Sequence, residues 1–470
     1  MKSYTATAMA ALAGGCASLS GQTSQLLSDL SQPVATTPNE WAINLPDAPA
    51  EGDWIKQFGS PAMYTLIDEA LSANQSLKSA QATTKALRAQ ARAARGARVP
   101  SLSAGASASS SFYGDGLPLS DGESFGVNLS SSWEADIWGR VAKSAAAAEQ
   151  DYAASKADLA DIRLSLAGRT ASSWISLSNA IAQLALARDE LEVRSRSREL
   201  TEKRVAAGLS TTLDVRLTRS AEASARSGIA SAELAVEDAA RTLEILLGRY
   251  PSAEIKAPPA PPSLGKMSDL SSPAELLARR PDIASAEARM VASGLRADLA
   301  RIAMRPALSL SASGSIDSTE IEDLLDFDLI AGRVLANLTA PIFTGGRLSA
   351  QADAARANAE AAAANYAQAA LSAWQEVEGA RAADLSLSLQ EAATLVALEE
   401  AQAAEILAER QYQQGLITIF NLIDAQSRRI SAERQLISTR AQRAINRINY
   451  HIALGGDDWL PATHSKDQPS

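Results

Sequence analysis

Two His and one Cys in 470 residues leave little scope for catalysis. His451 and His464 lie near the C-terminus, far in sequence from Cys16 and from any Ser in a nucleophile elbow. These three residues cannot build a His/Cys metal site, and one Cys permits no internal disulfide. No Gly-rich stretch is followed by Lys-Ser or Lys-Thr, so a phosphate-cradling loop is lacking. The residues argue against an enzyme and call for no cofactor. What remains is Cys16 itself and a set of acids just past two glycine turns. Gly208-Leu209-Ser210-Thr211 leads to Asp214, and Gly415-Leu416 leads to Asn421 and Asp424. Glycine accepts the positive φ that ends a helix, and Ser210/Thr211 and Thr418 suit the N-cap of the helix that follows. Asp214 in a first helical turn complements the helix dipole, which explains Asp424, one turn deeper, less well.

Cys16 follows a single Lys (Lys2), a small apolar stretch from Ala6 to Ala13, and Gly14-Gly15. Residues 1–15 resemble a bacterial lipoprotein signal, whose cleavage leaves an acylated Cys at the new N-terminus. One acyl chain binds a bilayer only marginally, whereas a di- or triacylated Cys16 would tether the chain stably. Residues 16–60 then read as a lipidated linker and collar segment, polar and rich in Ser, Thr and Gln at first.

Apolar residues make up 46 % of the chain but aromatics only 4 %, a balance that suits closely packed Ala-rich helices better than a globular enzyme core. A net charge of −10 argues against nucleic acid as a partner. No run of 18 apolar residues is present, so no transmembrane helix is expected.

The sequence repeats. "RVPSLSAGAS" (Arg98–Ser107) resembles "MRPALSLSAS" (Met304–Ser313), "GRVAKSA" (Gly139–Ala145) resembles "GRLSAQA" (Gly346–Ala352), and "AAGLSTTLDV" (Ala206–Val215) resembles "QQGLITIFNL" (Gln413–Leu422). The interval is about 207 positions each time, which makes the chain two copies of one unit. Repeat one covers residues 61–250 and repeat two 273–455, joined by a Pro-rich linker (251–272) and followed by a tail (456–470). Each repeat predicts a helix, a β-hairpin, a very long helix, a turn and a last helix.

Period-two patterning marks the hairpins, at about 99–138 and 305–343. Phe125, Val127, Leu129 and Trp133 alternate with Asn128, Ser130, Ser132 and Glu134. Leu102, Ala104, Ala106 and Ala108 alternate with Ser and Gly; Leu308, Leu310 and Ala312, then Val334, Ala336 and Leu338, continue the pattern. Each stretch is long enough to cross a bilayer as a tilted strand. The first helices are read as unbroken from about Ala62 to Arg98 and from Pro273 to Met304. In the first long helix Leu159, Ile162, Leu166, Leu177, Ile181, Leu184 and Leu191 form a seam of coiled-coil spacing. About 66 helical residues span roughly 100 Å.

Two hairpins supply four strands, too few to close a barrel, and an open edge cannot sit in lipid. Several copies must therefore share one barrel, with the Ser/Asn/acid faces lining a wet interior. Trp133 and Trp138 suit either interfacial anchors or the joint between strands and helices. The alternative is a soluble helical scaffold carrying a small sheet.

The order of elements, the duplication, and the motifs "SWEADIWGR" (Ser132–Arg140), "APIFTGGR" (Ala340–Arg347), "GLITIFNLIDAQ" (Gly415–Gln426) and "ALGGDDW" (Ala453–Trp459) resemble the TolC-type outer-membrane efflux factors, and with Cys16 their OprM/NodT-like lipoprotein branch. That resemblance implies an α+β membrane protein and a homotrimer. Two hairpins per chain would build a shared 12-stranded outer-membrane barrel, and the long helices a periplasmic α-barrel. It implies a periplasmic adaptor and an inner-membrane transporter of the RND type as partners, and a small-molecule efflux duct as the function; a type I protein secretion factor is the alternative within the family. It further implies that Asp214, Tyr412, Asn421 and Asp424 form the periplasmic gate, that Gly208, Leu209, Gly415 and Leu416 meet the adaptor, and that Cys16 carries lipid. Asn421 stands where some relatives have Asp, and Ile417 where some have Arg.

Overall fold

The computed structural model describes residues 38, 40–43, 58, 60–113, 122–258, 260, 262, 264, 267 and 272–456. Cys16 and the residues around it, the tip of the first hairpin at 114–121 and the tail beyond 456 lie outside them. The elements run α1 (Pro61–Ala73), α2 (Gln75–Gly96), β1 (Ser101–Ser111), β2 (Gly122–Ala135), α3 (Arg140–Ala206) and α4 (Thr212–Leu246). Then come α5 (Pro273–Arg279), α6 (Pro281–Ile302), β3 (Ala307–Ser318), two short 3-10 turns (Ile321–Leu325 and Phe327–Leu329), β4 (Ala331–Thr339), α7 (Arg347–Gln413) and α8 (Ile419–Ala453). The duplication is visible in the backbone conformation. Gly139, Gly208 and Gly248 have positive φ, and so do Gly346, Gly415 and Gly455, the same interval later in each case.

The first helix of each repeat, expected unbroken, is broken. Asn74 separates α1 from α2 with ψ of 129°, and Arg280 separates α5 from α6 with ψ of 124°. At Arg280 the cause is Pro281, whose ring excludes the helical conformation from the residue before it. At Asn74 the side chain replaces the helix: its Oδ1 accepts the Leu77 N–H at 3.1 Å. Both break residues then do the same work. Asn74 Nδ2 donates to the carbonyl of Leu246 (2.9 Å), and Arg280 Nη1 to that of Ala453 (2.9 Å), the last residues of α4 and α8. Each break thus satisfies a helix-end carbonyl that has no partner within its own helix.

The chain divides into two compact units. The first holds Ala82–Ala157 and Ile283–Ala369, and so the whole sheet. Its buried apolar residues are mostly Ala, among them Ala91, Ala145, Ala292, Ala359 and Ala363, with Val141, Ile283, Ile302 and Ile316 beside them. The strands lie in the order β1-β2-β3-β4, all antiparallel, leaving β1 and β4 as edges. The register sorts the faces. Ala104 pairs with Leu129, Val127 with Ile316, Trp133 with Leu310 and Leu308 with Leu338 on one face. Ser103 pairs with Ser130, Asn128 with Ser315 and Ser309 with Asn337 on the other. Paired residues share a face in an antiparallel ladder, so one face is apolar and the other is Ser, Asn and acid. The apolar face is not a core: Leu102 is 70 % exposed and Val334 82 % in the single chain.

At the strand roots, Trp133 Nε1 donates to the Arg98 carbonyl (3.1 Å) and Trp138 Nε1 to that of Pro306 (2.6 Å), with the Arg305 guanidinium over the Trp138 ring. Asp136 accepts the N–H groups of Val141 and Ala142 and so caps α3.

The second unit includes residues 60–81, the chain from Asp158 to Asp282, and the chain from Ala370 onward. It holds the conventional core: Met63, Ile67, Leu77, Leu166, Trp174, Ile175, Leu177, Leu243 and Ile448. Buried Glu244 accepts the N–H groups of Ala253, Glu254 and Ile255, pinning the start of the Pro-rich linker to α4.

Candidate functional site

The turns between α3 and α4 and between α7 and α8 both lie in the second unit, and the structure gives each a different chemistry. Gly208 and Gly415 sit at φ +74° and +79° as the left-handed residues that end α3 and α7. In the first turn Thr211 is the N-cap of α4 and Asp214 completes a capping box. The Asp214 carboxylate accepts from Ser210 Oγ (2.7 Å), Thr211 N–H (3.0 Å) and Thr211 Oγ1 (3.0 Å). The bonds from Ser210 and Thr211 hold this carboxyl below the usual carboxylate range. In the second turn Asn421 occupies the equivalent place. Thr418 Oγ1 donates to Asn421 Oδ1 at 2.7 Å, and the box does not form.

Asp424 lies one turn further into α8 and is half exposed. Its Oδ2 accepts from Arg428 Nε at 2.8 Å, four residues on along the same helix. Tyr412, near the end of α7, is 2 % exposed and packs with Ile419 and Leu422. Its hydroxyl and that of buried Thr201 lie 2.9 Å apart in a hydrogen bond. The Arg204 guanidinium stacks over its ring at 4.8 Å and donates to the carbonyls of Tyr412 (2.6 Å), Gln413 (3.2 Å) and Leu209 (3.3 Å). One cation in the last turn of α3 thus caps two helix ends, where positive charge is favoured.

So the four residues expected at a gate do not form one cluster. Asp214 belongs to a cap, Asn421 to a local turn, Asp424 to an ion pair on the surface and Tyr412 to the packing between α3 and α7. Of the residues expected to meet a partner, Leu209 is 66 % exposed and Leu416 70 %, and a turn further on Leu213 and Phe420 are as bare. Both turns therefore present apolar side chains at matching places.

Above the turns, α3, α7 and α8 are joined by buried arginines that the sequence reading did not single out. Arg194 donates to Gln426 Oε1 (3.0 Å), Ser427 Oγ (2.9 Å) and the Ile423 carbonyl. Arg429 meets Asp189, Glu405 and Glu433. Burial pushes the Glu405 carboxyl up, against the pull of Arg429. Arg443 and Arg447 share Asp384, and Arg440 and Arg443 share Glu391. Arg429, Glu433, Leu436, Arg440, Arg443 and Arg447 recur at alternating spacings of four and three, the seam spacing that apolar residues hold in a coiled coil. That spacing was the available signal.

No group of three or more His, Cys, Asp or Glu among the described residues is placed to hold a metal ion. No described helix is long and apolar enough to cross a membrane, which says nothing of the strands.

The sequence profile of the family described as "Outer membrane efflux protein" matches residues 66–249 and 272–456, one match on each repeat. The chain is similar to the pyoverdine export outer membrane protein OpmQ of Pseudomonas aeruginosa, with 32 % identity over 89 % of this chain and 91 % of that one. It is similar to the cation efflux system protein CusC of Escherichia coli K12, with 28 % identity over 94 % and 98 %. Among solved structures, the outer-membrane channel OprN superposes with a TM-score of 0.81 at 27 % identity, over 89 % of this chain and 97 % of that one.

Proposed function

The chain belongs to the outer membrane efflux protein family, and from that premise we propose that it is the exit duct of a tripartite efflux pump, carrying small molecules from an inner-membrane transporter and a periplasmic adaptor to the outside. The observation that carries this reading is the four-stranded sheet. One face is apolar and largely exposed, the other is mostly Ser with Asn, acid and Arg333, and both edges are open. Such a sheet is satisfied in a bilayer only when other copies pair with its edges. Three copies would make a 12-stranded barrel with a wet lumen, wide enough for solutes where eight strands would be filled by side chains.

The finer assignments follow from the same arrangement. In a trimer three Asp424 carboxylates approach one axis and form a constriction that favours cations, and Arg428 moderates it. Asn421 adds polarity without charge. Asp214 and Tyr412 act on the gate through the shape of the turns, one as a cap and the other as a buried strut. Gly208, Leu209, Gly415 and Leu416 meet the adaptor, which covers apolar side chains left bare in the single chain. Cys16, outside the described residues, is acylated and holds the N-terminus at the outer membrane. The inner-membrane partner is of the RND type.

The test is reconstitution of the purified chain in planar lipid bilayers. The reading expects discrete conductance steps with cation preference. Absence of conductance from protein that has inserted in the bilayer would overturn it.

A further inference from the structure

The register of the sheet places one cation on its polar face. Ser103 pairs with Ser130, Ser130 with Ser313, and Ser313 with Arg333. Paired residues share a face, so Arg333 ends a row across the sheet that is otherwise serine. Its neighbours on that face of β4 are Ala331 and Leu335. Arg333 is exposed, and among the described residues no ion pair or side-chain hydrogen bond engages it.

The four strands carry three acids, Glu123, Glu134 and Asp317. Glu123 alternates onto the other face. Glu134 accepts from Arg140 Nε (2.6 Å) and Nη2. Asp317 accepts from Ser315 Oγ at 3.0 Å and lies over Gly126 of the next strand, where a Cβ would come within 2.7 Å of its Oδ1. Asn128 lies over Gly105 in the same way. Asp317 pairs with Gly126, four residues from Ser130 in one direction, and Glu134 is four residues from it in the other. Each acid is therefore about 13 Å along the strands from the row of Arg333. That exceeds the screening length of about 8 to 10 Å near physiological salt, so neither acid neutralises Arg333. The edge strand of a neighbouring copy cannot do so either, because β1 (Ser101–Ser111) contains no Asp or Glu. In a chain of net charge −10, the middle of this wall is cationic.

We propose that in the shared barrel the Arg333 side chains of the copies form a lumenal ring that binds the anionic groups of passing solutes. The ring rests on the assembly proposed above and adds the class of group held in the barrel: a carboxylate, phosphate or sulfate. A guanidinium presents a planar fork that matches two oxygens of such a group. Cation preference at the Asp424 constriction is a separate property, so the ring is read by block with a multivalent anion rather than by net selectivity.

The experiment records single-channel currents of the full-length protein in planar bilayers, with inorganic tripolyphosphate added on both sides. Wild-type current should be blocked in a concentration-dependent way. Arg333→Ser should raise the half-blocking concentration by about tenfold or more, as expected for loss of a charge-assisted hydrogen bond. Arg333→Lys should keep most of the block, and Asn337→Ser, a neutral change on the same face, should leave it as in wild type. Channels that conduct without being blocked, or that are blocked equally with and without Arg333, overturn the ring and leave the duct standing. No conductance from inserted wild-type protein overturns both.

Discussion

At the scale of single residues the two turns invite different experiments because their chemistry differs. Thr211 and Asp214 cap α4 reciprocally, so Thr211→Ala should cost about 1 kcal/mol of local stability, seen as faster amide exchange in the first turn of α4. The Asp214 carboxyl is held below its ordinary range. Its contribution is therefore fully present above the unfolded value, near 3.9, and is lost as pH falls through the lower folded value. The difference in thermal stability between wild type and Asp214→Ala should stay flat from about pH 8 to 5 and shrink below about pH 3.9. Asp424 has no such cap to explain it. Asp424→Ala should raise single-channel conductance and weaken cation preference in planar bilayers; unchanged values would remove it from the constriction. The glycines, the Thr211 cap and the exposed leucines of these turns were legible because each depends on its own few neighbours in sequence, whereas Thr418, expected to cap α8, gives its hydroxyl to Asn421 and caps no N–H. The burial of Tyr412 was not, since its partners Thr201 and Arg204 lie in another helix. The arginine seam of α8 left a signal in its four-and-three spacing, but charged residues hold places there that usually fall to Leu.

At the scale of elements, alternation of Ser with Leu, Val and Ala located the strands, and the period of Leu and Ile located the long helices. Of the predicted seam Leu166 and Leu177 are buried, while Leu159, Ile162, Ile181, Leu184 and Leu191 are half-buried. The helix breaks were missed for two different reasons. Pro281 marks one break in the sequence itself, within the stretch from Pro273 to Met304 whose helical pattern runs across it. Asn74 has no such marker; its effect depends on the Leu246 carbonyl, which only the folded repeat brings near. The common role of Asn74 and Arg280 yields a test. Asn74→Ala removes the cap on Leu77 and the bond to Leu246, and should destabilise the protein by about 1–2 kcal/mol. Hydrogen exchange should place the loss at the end of α4 as well as at the start of α2; a change at α2 alone would mean that the link between helices contributes nothing.

At the scale of the whole molecule, the composition acquires a physical meaning. Ala takes most of the buried apolar positions of the unit that holds the sheet, while the buried Leu, Met and Trp side chains collect in the other. Large apolar side chains stay bare in one chain on the sheet face and at the turns: Leu102, Val334 and Leu338, and Leu209, Leu416 and Phe420. Single chains rarely expose so much unless something covers it. Lipid, neighbouring copies and a periplasmic partner are the three covers this account assigns. The central claim, that one chain is a third of a closed wall, is tested most directly by native mass measurement of the full-length protein extracted in detergent. An assembly of three chains that separates only on heating is expected; a monomer, or protein recovered in solution without detergent, would contradict that claim.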